Sequence, residues 1–257
     1  MKKDQHIILC AETPQDAETL LPAAKTLAEG FHKGIILLSC SDGADSWIGS
    51  HGVPYVALKG DWKTAIDGLP TVFGGILALA LCNPSAPRTS ITRPKALLRT
   101  FRDCRIAYLV LPARPSSPLA TASLSLTLDH SRESKEKLIW ASYFARFLGT
   151  QVRILHHRYT DQALLSRFRN NMRYLDKIFT AQHIPYTPCP MEGTHQLSNP
   201  DLHAVTLPAD LFLAQTSDPR ERDLASLLLP PPERRLLLSG KPLLLLNRRD
   251  DLYVLCD

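Results

Sequence analysis

An internal repeat constrains this 257-residue chain more than any other feature of its sequence. When residues 6–39 are placed beneath residues 123–156, Glu12 aligns with Asp129 and no gap is needed. Two further matches follow in the same order along the chain: 53–55 with 184–186, and 105–110 with 240–245. The offset grows along the chain, which indicates insertions in the second copy. Matches that keep their order predict a duplicated domain.

Each copy alternates apolar strands with helices. The strands predicted in the first copy are Ile7–Ala11, Ile35–Ser39, Tyr55–Leu58, Ile76–Leu81 and Ala107–Leu111. Those predicted in the second copy are Leu124–Leu128, Val152–His156, Tyr186–Met191, Leu211–Thr216 and Pro242–Leu246. Strands that are apolar throughout and alternate with helices are typical of buried parallel sheets. We therefore predict the α/β class, with a five-stranded parallel sheet in each copy.

Apolar residues at helical spacing mark the main helices. In the first copy these are Gln15–Gly30 and Lys95–Phe101, and in the second they are Ser131–Gly149 and Asp161–Gln182. Ser131 is the predicted N-cap of its helix, and Gly149 is expected to end that helix. Shorter helices are predicted near Gln196–Ala204 and Arg220–Leu228.

Composition narrows the classes of protein to which this chain can belong. A hydrophobic fraction of 44% supports a sizeable core, and a net charge of +5 is too small for a dedicated nucleic-acid coat. The longest apolar run, Val72–Cys82, is much shorter than the roughly 20 residues that span a bilayer, and the first residues are too polar for a signal peptide. The six cysteines form no C-x-x-C pair. We expect a cytoplasmic chain with reduced core thiols, no metal site and no membrane or nucleic-acid partner.

Several segments of the second copy form a recognisable pattern. They are Leu128–Glu136 at the first strand end, an Ala-x-x-x-Ala helix at Ala141 and Ala145, a strand ending at His156, Ile184–Tyr186, Lys241–Leu245 and the closing segment Asn247–Asp257. Together they resemble the tandem, two-domain form of the universal stress protein family. The resemblance covers about Leu119–Asp257 and is weaker over His6–Pro112.

The resemblance implies two adenine nucleotide alpha hydrolase-like domains that form an internal pseudo-dimer through their fifth strands. The matching segments are Leu109–Leu111 and Leu243–Leu246. We predict domains at residues 1–112 and 119–257, joined by a proline-rich linker at 113–118. The closing residues 252–255 alternate like a strand, so this edge and the fifth strands are expected to support self-association or a protein partner.

Some members of the family bind ATP where the strands end, through an Asp after strand one, a base-contacting residue after strand two and a glycine-rich loop after strand four. The matching positions are Asp129, His157 and Thr216 in the second copy, and Glu12 replaces the Asp in the first. The loop positions carry no glycine in either copy: they fall on Thr216, Pro219, Leu229 and Pro230, and on Leu81, Pro84, Pro94 and Lys95. Proline also removes the N–H donor that a phosphate needs. We therefore expect no ATP binding through this loop. No paired-carboxylate or Ser-His-Asp arrangement is legible in the sequence, so we expect no enzymatic activity, and an enzyme of the wider adenine nucleotide hydrolase-like group is the last alternative.

A basic cluster lies after the fourth strand of the first copy. Its members are Arg88, Arg93, Lys95, Arg99, Arg102 and Arg105. An alternative function is therefore a nucleotide-binding or small-anion-binding crevice formed near Asp129 and by this cluster, with Arg93 and Arg99 as candidate ligands. The first interpretation remains a regulatory or sensing protein of the stress response.

Three other motifs have simpler explanations. Ser41–Ser46 superficially resembles the phosphate loop of PP-loop ATP pyrophosphatases, but Asp42 adds negative charge and a turn explains the segment equally well. His156 and His157 point to opposite faces at a strand end, and no second ligand set joins them. The arginines of Arg167–Arg173 form the predicted solvated face of their helix, although they can also be interpreted as a nucleic-acid surface.

Overall fold

The computed structural model describes residues 5–115, 118–191, 208–217 and 231–248. Its contacts divide the chain into two units: unit 1 is Met1–Leu119 with Pro242–Asn247, and unit 2 is Ala120–Lys241 with Arg248–Asp257. Within the described residues, no helix is both long and apolar enough to cross a bilayer. The helices predicted near 196–204 and 220–228, and the strand at 252–255, lie outside these residues.

Unit 1 is built on a mostly parallel sheet. Its strands are β1 (His6–Cys10), β2 (Gly34–Ser39), β3 (Tyr55–Ala57), β4 (Gly75–Cys82), β5 (Ala107–Pro112) and β10 (Leu243–Leu246). They are ordered β3-β2-β1-β4-β5-β10, and all neighbouring pairs are parallel except β5 with β10. The central strands are buried along nearly their whole length, which explains why their sequences are apolar throughout.

The helices of unit 1 are α1 (Pro14–Phe31), α2 (Trp62–Asp67) and α3 (Pro94–Thr100). A capping box begins α1, because the Thr13 hydroxyl accepts from the Asp16 N–H and the Asp16 carboxylate accepts from the Thr13 N–H. Pro14 occupies the first turn, where its missing N–H costs nothing. The helix ends at His32, which has a left-handed φ of 55°.

Unit 2 contains β6 (Ser123–Leu128), β7 (Gln151–His156), β8 (Tyr186–Pro190) and β9 (Leu211–Gln215). These strands are parallel and lie in the order β9-β6-β7-β8. The helices are α4 (Ser134–Leu148), α5 (Gln162–Ala181) and α6 (Pro232–Leu237). The predicted α/β class is confirmed.

The two ends of α4 differ in how well the sequence predicted them. Gly149 follows the helix with a φ of 68° and ends it, as expected. The prediction that Ser131 caps the helix is wrong, because α4 begins at Ser134 and Glu133 is the residue before it. Ser131 donates its N–H and its hydroxyl to Asp129 instead.

The last described strand, β10, pairs with β5 inside unit 1. Leu243 lies opposite Val110, Leu244 opposite Leu109 and Leu245 opposite Tyr108, in antiparallel register. The predicted pairing of these two apolar segments is therefore confirmed. The domain limits 1–112 and 119–257 and the internal pseudo-dimer stay predictions, and Pro242–Asn247 pack with unit 1.

Candidate functional site

In unit 1, Glu12 lies just beyond the carboxyl end of β1 and is held by the loop that follows β4. Its Oε1 accepts a hydrogen bond of 3.0 Å from the backbone N–H of Ile91. Its Oε2 accepts one from the Ser90 hydroxyl. Both carboxylate oxygens of Glu12 are therefore occupied by donors from adjacent loop residues.

The loop itself, residues 83–93, is closed by its own hydrogen bonds. The Ser90 and Thr92 hydroxyl oxygens lie 2.7 Å apart, and the Asn83 N–H donates to the Thr92 carbonyl over 2.8 Å. Arg93 donates from Nη1 to the Ala86 carbonyl oxygen over 3.0 Å. Arg93, a predicted ligand residue, thus contributes at least part of its guanidinium to holding this loop.

The predicted basic cluster is divided between two edges of the sheet. Because β4 and β5 are parallel, the chain between them must return from the carboxyl edge to the amino edge, and α3 makes this crossing. Arg88 and Arg93 precede α3 and lie on the side of Glu12, whereas Arg102 and Arg105 follow it. Arg99 is exposed in the last turn of α3. The six cations therefore do not converge on one ligand position.

In unit 2, Asp129 lies just beyond the carboxyl end of β6. Its Oδ1 accepts from the Ser131 N–H at 2.8 Å, the Ser131 hydroxyl at 2.5 Å and the Ser134 hydroxyl at 2.6 Å. Asn171 of α5 then donates from Nδ2 to the carbonyl oxygens of Asp129 and Ser131, at 2.9 and 2.7 Å. Asp129 is thus the centre of a compact hydrogen-bonded turn.

Lys137 supplies the positive charge next to this turn. Its side chain comes from α4, is only 2% exposed, and donates from Nζ to the Thr127 hydroxyl at 3.3 Å. Burial by itself raises the pKa of Asp129, but the charge of Lys137 and the hydrogen bonds from Ser131 and Ser134 outweigh it and lower the pKa to about 2. Asp129 is therefore a carboxylate at neutral pH.

Aromatic rings pack beside the same turn. The Tyr159 ring lies 5.5 Å from His130 and 5.3 Å from Phe168, and the His156 ring lies 5.4 Å from Phe168. Burial, followed by the charge of Asp129, raises the pKa of Tyr159 to about 12, so this phenol stays protonated. The His156 ring is thus part of an aromatic packing group, and His157 is half-buried beside it.

Thr216 comes directly after β9, one residue beyond the strand end, whereas the predicted strand Leu211–Thr216 included it. The Ser217 hydroxyl is 3.0 Å from both carboxylate oxygens of the buried Glu233 on α6. The remaining predicted loop positions of this copy, Pro219, Leu229 and Pro230, lie outside the described residues.

An ion pair lies at the start of α4. Arg248 contacts Glu133 Oε1 from both Nε and Nη2, each at 3.0 Å.

Among the described residues, no group of His, Cys, Asp and Glu side chains is arranged to hold a metal ion. The arginines at 167, 169 and 173 are exposed on α5, as expected for a solvated face.

Sequence reasoning missed three residues that organise these sites. Lys137 and Asn171 carried a signal, because both fall at apolar-stripe positions: Lys137 precedes Leu138 and Ala141, and Asn171 lies between Phe168 and Leu175. A polar residue at such a position must find a buried partner. Ser90 carried no such signal, since it lies in a loop. Ligand binding stays a prediction for the six candidate residues, which are Glu12, Arg93, Arg99, Asp129, His157 and Thr216.

Comparisons with known proteins bear on the fold. No protein-family model and no curated protein matches the chain. Among solved structures, a universal stress protein from Archaeoglobus fulgidus DSM 4304 matches with a TM-score of 0.63 at 12% identity, covering 96% of this chain and 97% of that one. The chain has the fold of the universal stress proteins.

Two further solved structures match nearly the whole chain. A putative universal stress protein from Pseudomonas aeruginosa UCBPP-PA14 has a TM-score of 0.59 at 15% identity, with 95% and 94% of the two chains covered. The cytoplasmic domain of a prokaryotic cation chloride cotransporter has a TM-score of 0.60 at 13% identity, with 94% and 95% covered. The resemblance derived from the sequence is therefore confirmed at the level of the fold.

Proposed function

We propose that the protein is a regulatory or sensing member of the universal stress protein type, acting in the stress response without binding ATP through a triphosphate loop. One observation carries this proposal. The loop after β4 directs its Ser90 hydroxyl and Ile91 N–H at Glu12 of the same chain. A loop whose donors are already engaged has less to offer a polyphosphate.

The second unit supports the same conclusion. The Asp129 carboxylate is held by Ser131 and Ser134, and the Ser217 hydroxyl is held by Glu233. The hydroxyl donors near this edge are therefore engaged by carboxylates of the chain itself and are not offered to a phosphate. The absence of glycine between Leu211 and Ser239 removes the close backbone approach that phosphate cradles use.

A role through protein contacts is the function that remains. Strand β5 is already flanked by β4 and β10, so self-association in the cytoplasm would use the C-terminal edge and not the edge of β5. It is supported by the cotransporter cytoplasmic domain, because a similar fold there is part of a larger protein. Function is nevertheless carried by sites rather than by folds, so this proposal depends on ligand tests.

The decisive experiment is a thermal unfolding series of the full chain with ATP, AMP and cyclic dinucleotides at millimolar concentration. We expect no rise in Tm, since a ligand that binds only the folded state raises stability by RT ln(1 + [L]/Kd). A concentration-dependent rise with ATP would overturn the proposal. A rise with AMP alone would favour the small-anion alternative, and phosphate release from ATP would identify an enzyme.

A further inference from the structure

We infer that loop 83–93 of unit 1 forms a binding site for inorganic phosphate or a phosphate monoester, and that the carboxylate of Glu12 occupies this site in place of such a ligand. The inference rests on the contacts of unit 1 and goes beyond the proposed function. It identifies what the crevice of this unit binds, namely a side chain of its own.

The donors around Glu12 are those of an oxyanion site. A backbone N–H from Ile91 and a hydroxyl from Ser90 reach separate oxygens of one carboxylate. Ser90 is itself oriented, because its Oγ accepts from the Thr92 N–H at 3.1 Å and lies 2.7 Å from the Thr92 hydroxyl. Ile91 and Thr92 are 7% and 5% exposed, so the donors are fixed in a buried stretch of loop.

The charges around the loop favour an anion once Glu12 is removed. Arg88 and Lys95 are exposed in and beside loop 83–93, and Arg93 is half-buried within it. A phosphate presents the same type of acceptor oxygen as a carboxylate and more negative charge. In the wild-type chain the negative charge of Glu12 repels a second anion, and its oxygens already occupy the donors.

Removing the carboxylate leaves these donors without their acceptor. An unpaired buried N–H is costly, so the loop gains from any oxyanion that replaces Glu12. Glu12→Ala therefore converts a closed loop into a phosphate site. Glu12→Gln removes the charge but keeps the side chain in place, so it separates the effect of charge from that of occupancy.

The test is a phosphate titration of Tm for the full-length wild type, Glu12→Ala, Glu12→Gln and the control Glu18→Ala, with chloride adjusted to constant ionic strength. Glu18 is exposed on α1, so the control changes the charge equally without touching the loop. We expect phosphate to raise the Tm of Glu12→Ala by about 3–6 °C at roughly ten times Kd. The wild type and the control should not respond, and Glu12→Gln should respond less than half as much.

Two further measurements keep the result interpretable. Adding Ser90→Ala to Glu12→Ala should weaken phosphate binding at least about tenfold, because one donor is lost. Hydrogen exchange at the Ile91 amide should be slow in the wild type, faster in Glu12→Ala and slowed again by phosphate. If Glu12→Ala does not fold, Glu12→Ser creates the same opening and takes its place.

Parallel titrations with AMP and with inorganic phosphate distinguish a phosphate monoester from free phosphate, and a response to either supports the inference. Equal phosphate responses in Glu12→Ala and Glu18→Ala would overturn it. A wild type that binds phosphate as tightly as Glu12→Ala would overturn it as well. Neither outcome depends on whether the wild-type chain binds ATP, so this test and that of the proposed function fail separately.

Discussion

Asn247 donates a hydrogen bond of 2.6 Å from Nδ2 to the carbonyl oxygen of Phe101, which lies 146 positions earlier in the chain. The same amide nitrogen donates to the Cys104 carbonyl at 2.9 Å. Phe101 stacks on Tyr108 with ring centroids 4.8 Å apart, and Tyr108 lies on β5. The amide therefore fastens the end of β10 to the turn that precedes β5, within unit 1.

Replacing Asn247 with alanine should destabilise unit 1 strongly. Both buried carbonyl groups would lose their donor, and the expected loss is about 2–4 kcal/mol of unfolding free energy. Urea denaturation monitored by circular dichroism measures it. Asn170→Ala is the matched control, because Asn170 is exposed on α5 and should change stability by less than about 0.5 kcal/mol. A loss as small as that of the control would show that the Asn247 contacts do not stabilise the fold.

The low pKa of Asp129 makes stability depend on pH. Its folded-state pKa of about 2 lies below the ordinary value of 3.8, so the carboxylate stabilises the fold above pH 3.8 and this contribution is lost as the pH falls toward 2. Asp129→Asn should therefore cost about 2 kcal/mol at neutral pH and progressively less below about pH 4. Denaturation at a series of pH values measures the difference. Asp42→Asn, exposed in a loop, controls for net charge, and a pH-independent cost for Asp129→Asn would refute this account.

Lys137 should be the cation that lowers the pKa of Asp129. Lys137→Met keeps the buried apolar stem and removes the charge, so the pKa of Asp129 should rise from about 2 toward 3.8. Carbon-13 NMR titration of the Asp129 carboxyl measures it directly. Lys135→Met is the control, because Lys135 points to the Tyr174 ring at 5.4 Å and is not among the charges that shift Asp129. An unchanged pKa in Lys137→Met would assign the shift to the serine hydrogen bonds alone.

Two ion pairs of the chain should differ in strength. The Arg248–Glu133 pair is mostly shielded, with side chains 29% and 12% exposed, whereas the Lys63–Asp103 pair has side chains 63% and 56% exposed. Double-mutant cycles should give a coupling of about 1–2 kcal/mol for the first pair and less than about 0.5 kcal/mol for the second. Added salt should reduce the coupling energy of the exposed Lys63–Asp103 pair by a larger fraction than that of the Arg248–Glu133 pair. Equal couplings would show that shielding does not set their strength.

The core thiols should be unreactive in the folded protein. Burial raises the pKa of Cys82 to about 11 and that of Cys104 to about 12, and burial also raises the pKa of Cys10 well above its ordinary value. Because the thiolate is the nucleophile, iodoacetamide at about pH 8 should label these cysteines only after denaturation. Cys189, which is partly exposed, is the internal comparison and should be labelled first. Peptide mass spectrometry identifies each site, and native labelling of Cys104 as fast as Cys189 would contradict the prediction.

The secondary structure was largely predictable because strong local patterns mark it. Strand β1 runs from His6 to Cys10, one residue away from the predicted Ile7–Ala11 at each end. It was predictable because a strand that is buried on both faces is apolar throughout. Helix α5 begins after Asp161, whose carboxylate accepts from the Leu164 N–H. The six-residue helix α2 was missed because it is too short to show a helical period.

The candidate sites were predictable only in part. Positions that follow strand ends, such as Glu12 and Asp129, can be read from the alternation of strands and helices, because parallel strands end at one edge. Their partners cannot, because a hydroxyl in a loop has no periodicity. Ser90 is 78 positions from Glu12, and which donor reaches a carboxylate depends on how the loop folds back.

The sequence by itself determined the alternation of strands and helices, the α/β class and the absence of glycine from the predicted loop positions, because these depend on residue type and spacing. Only the tertiary structure decided where the polar groups find partners. It paired β10 with β5, placed the Asn247 amide against Phe101 and Cys104, and closed the loop after β4 on Glu12. The physical reason is that a sequence lists its hydrogen-bond donors and acceptors without showing which of them lie close together. The packing of the folded chain decides which acceptor each donor reaches.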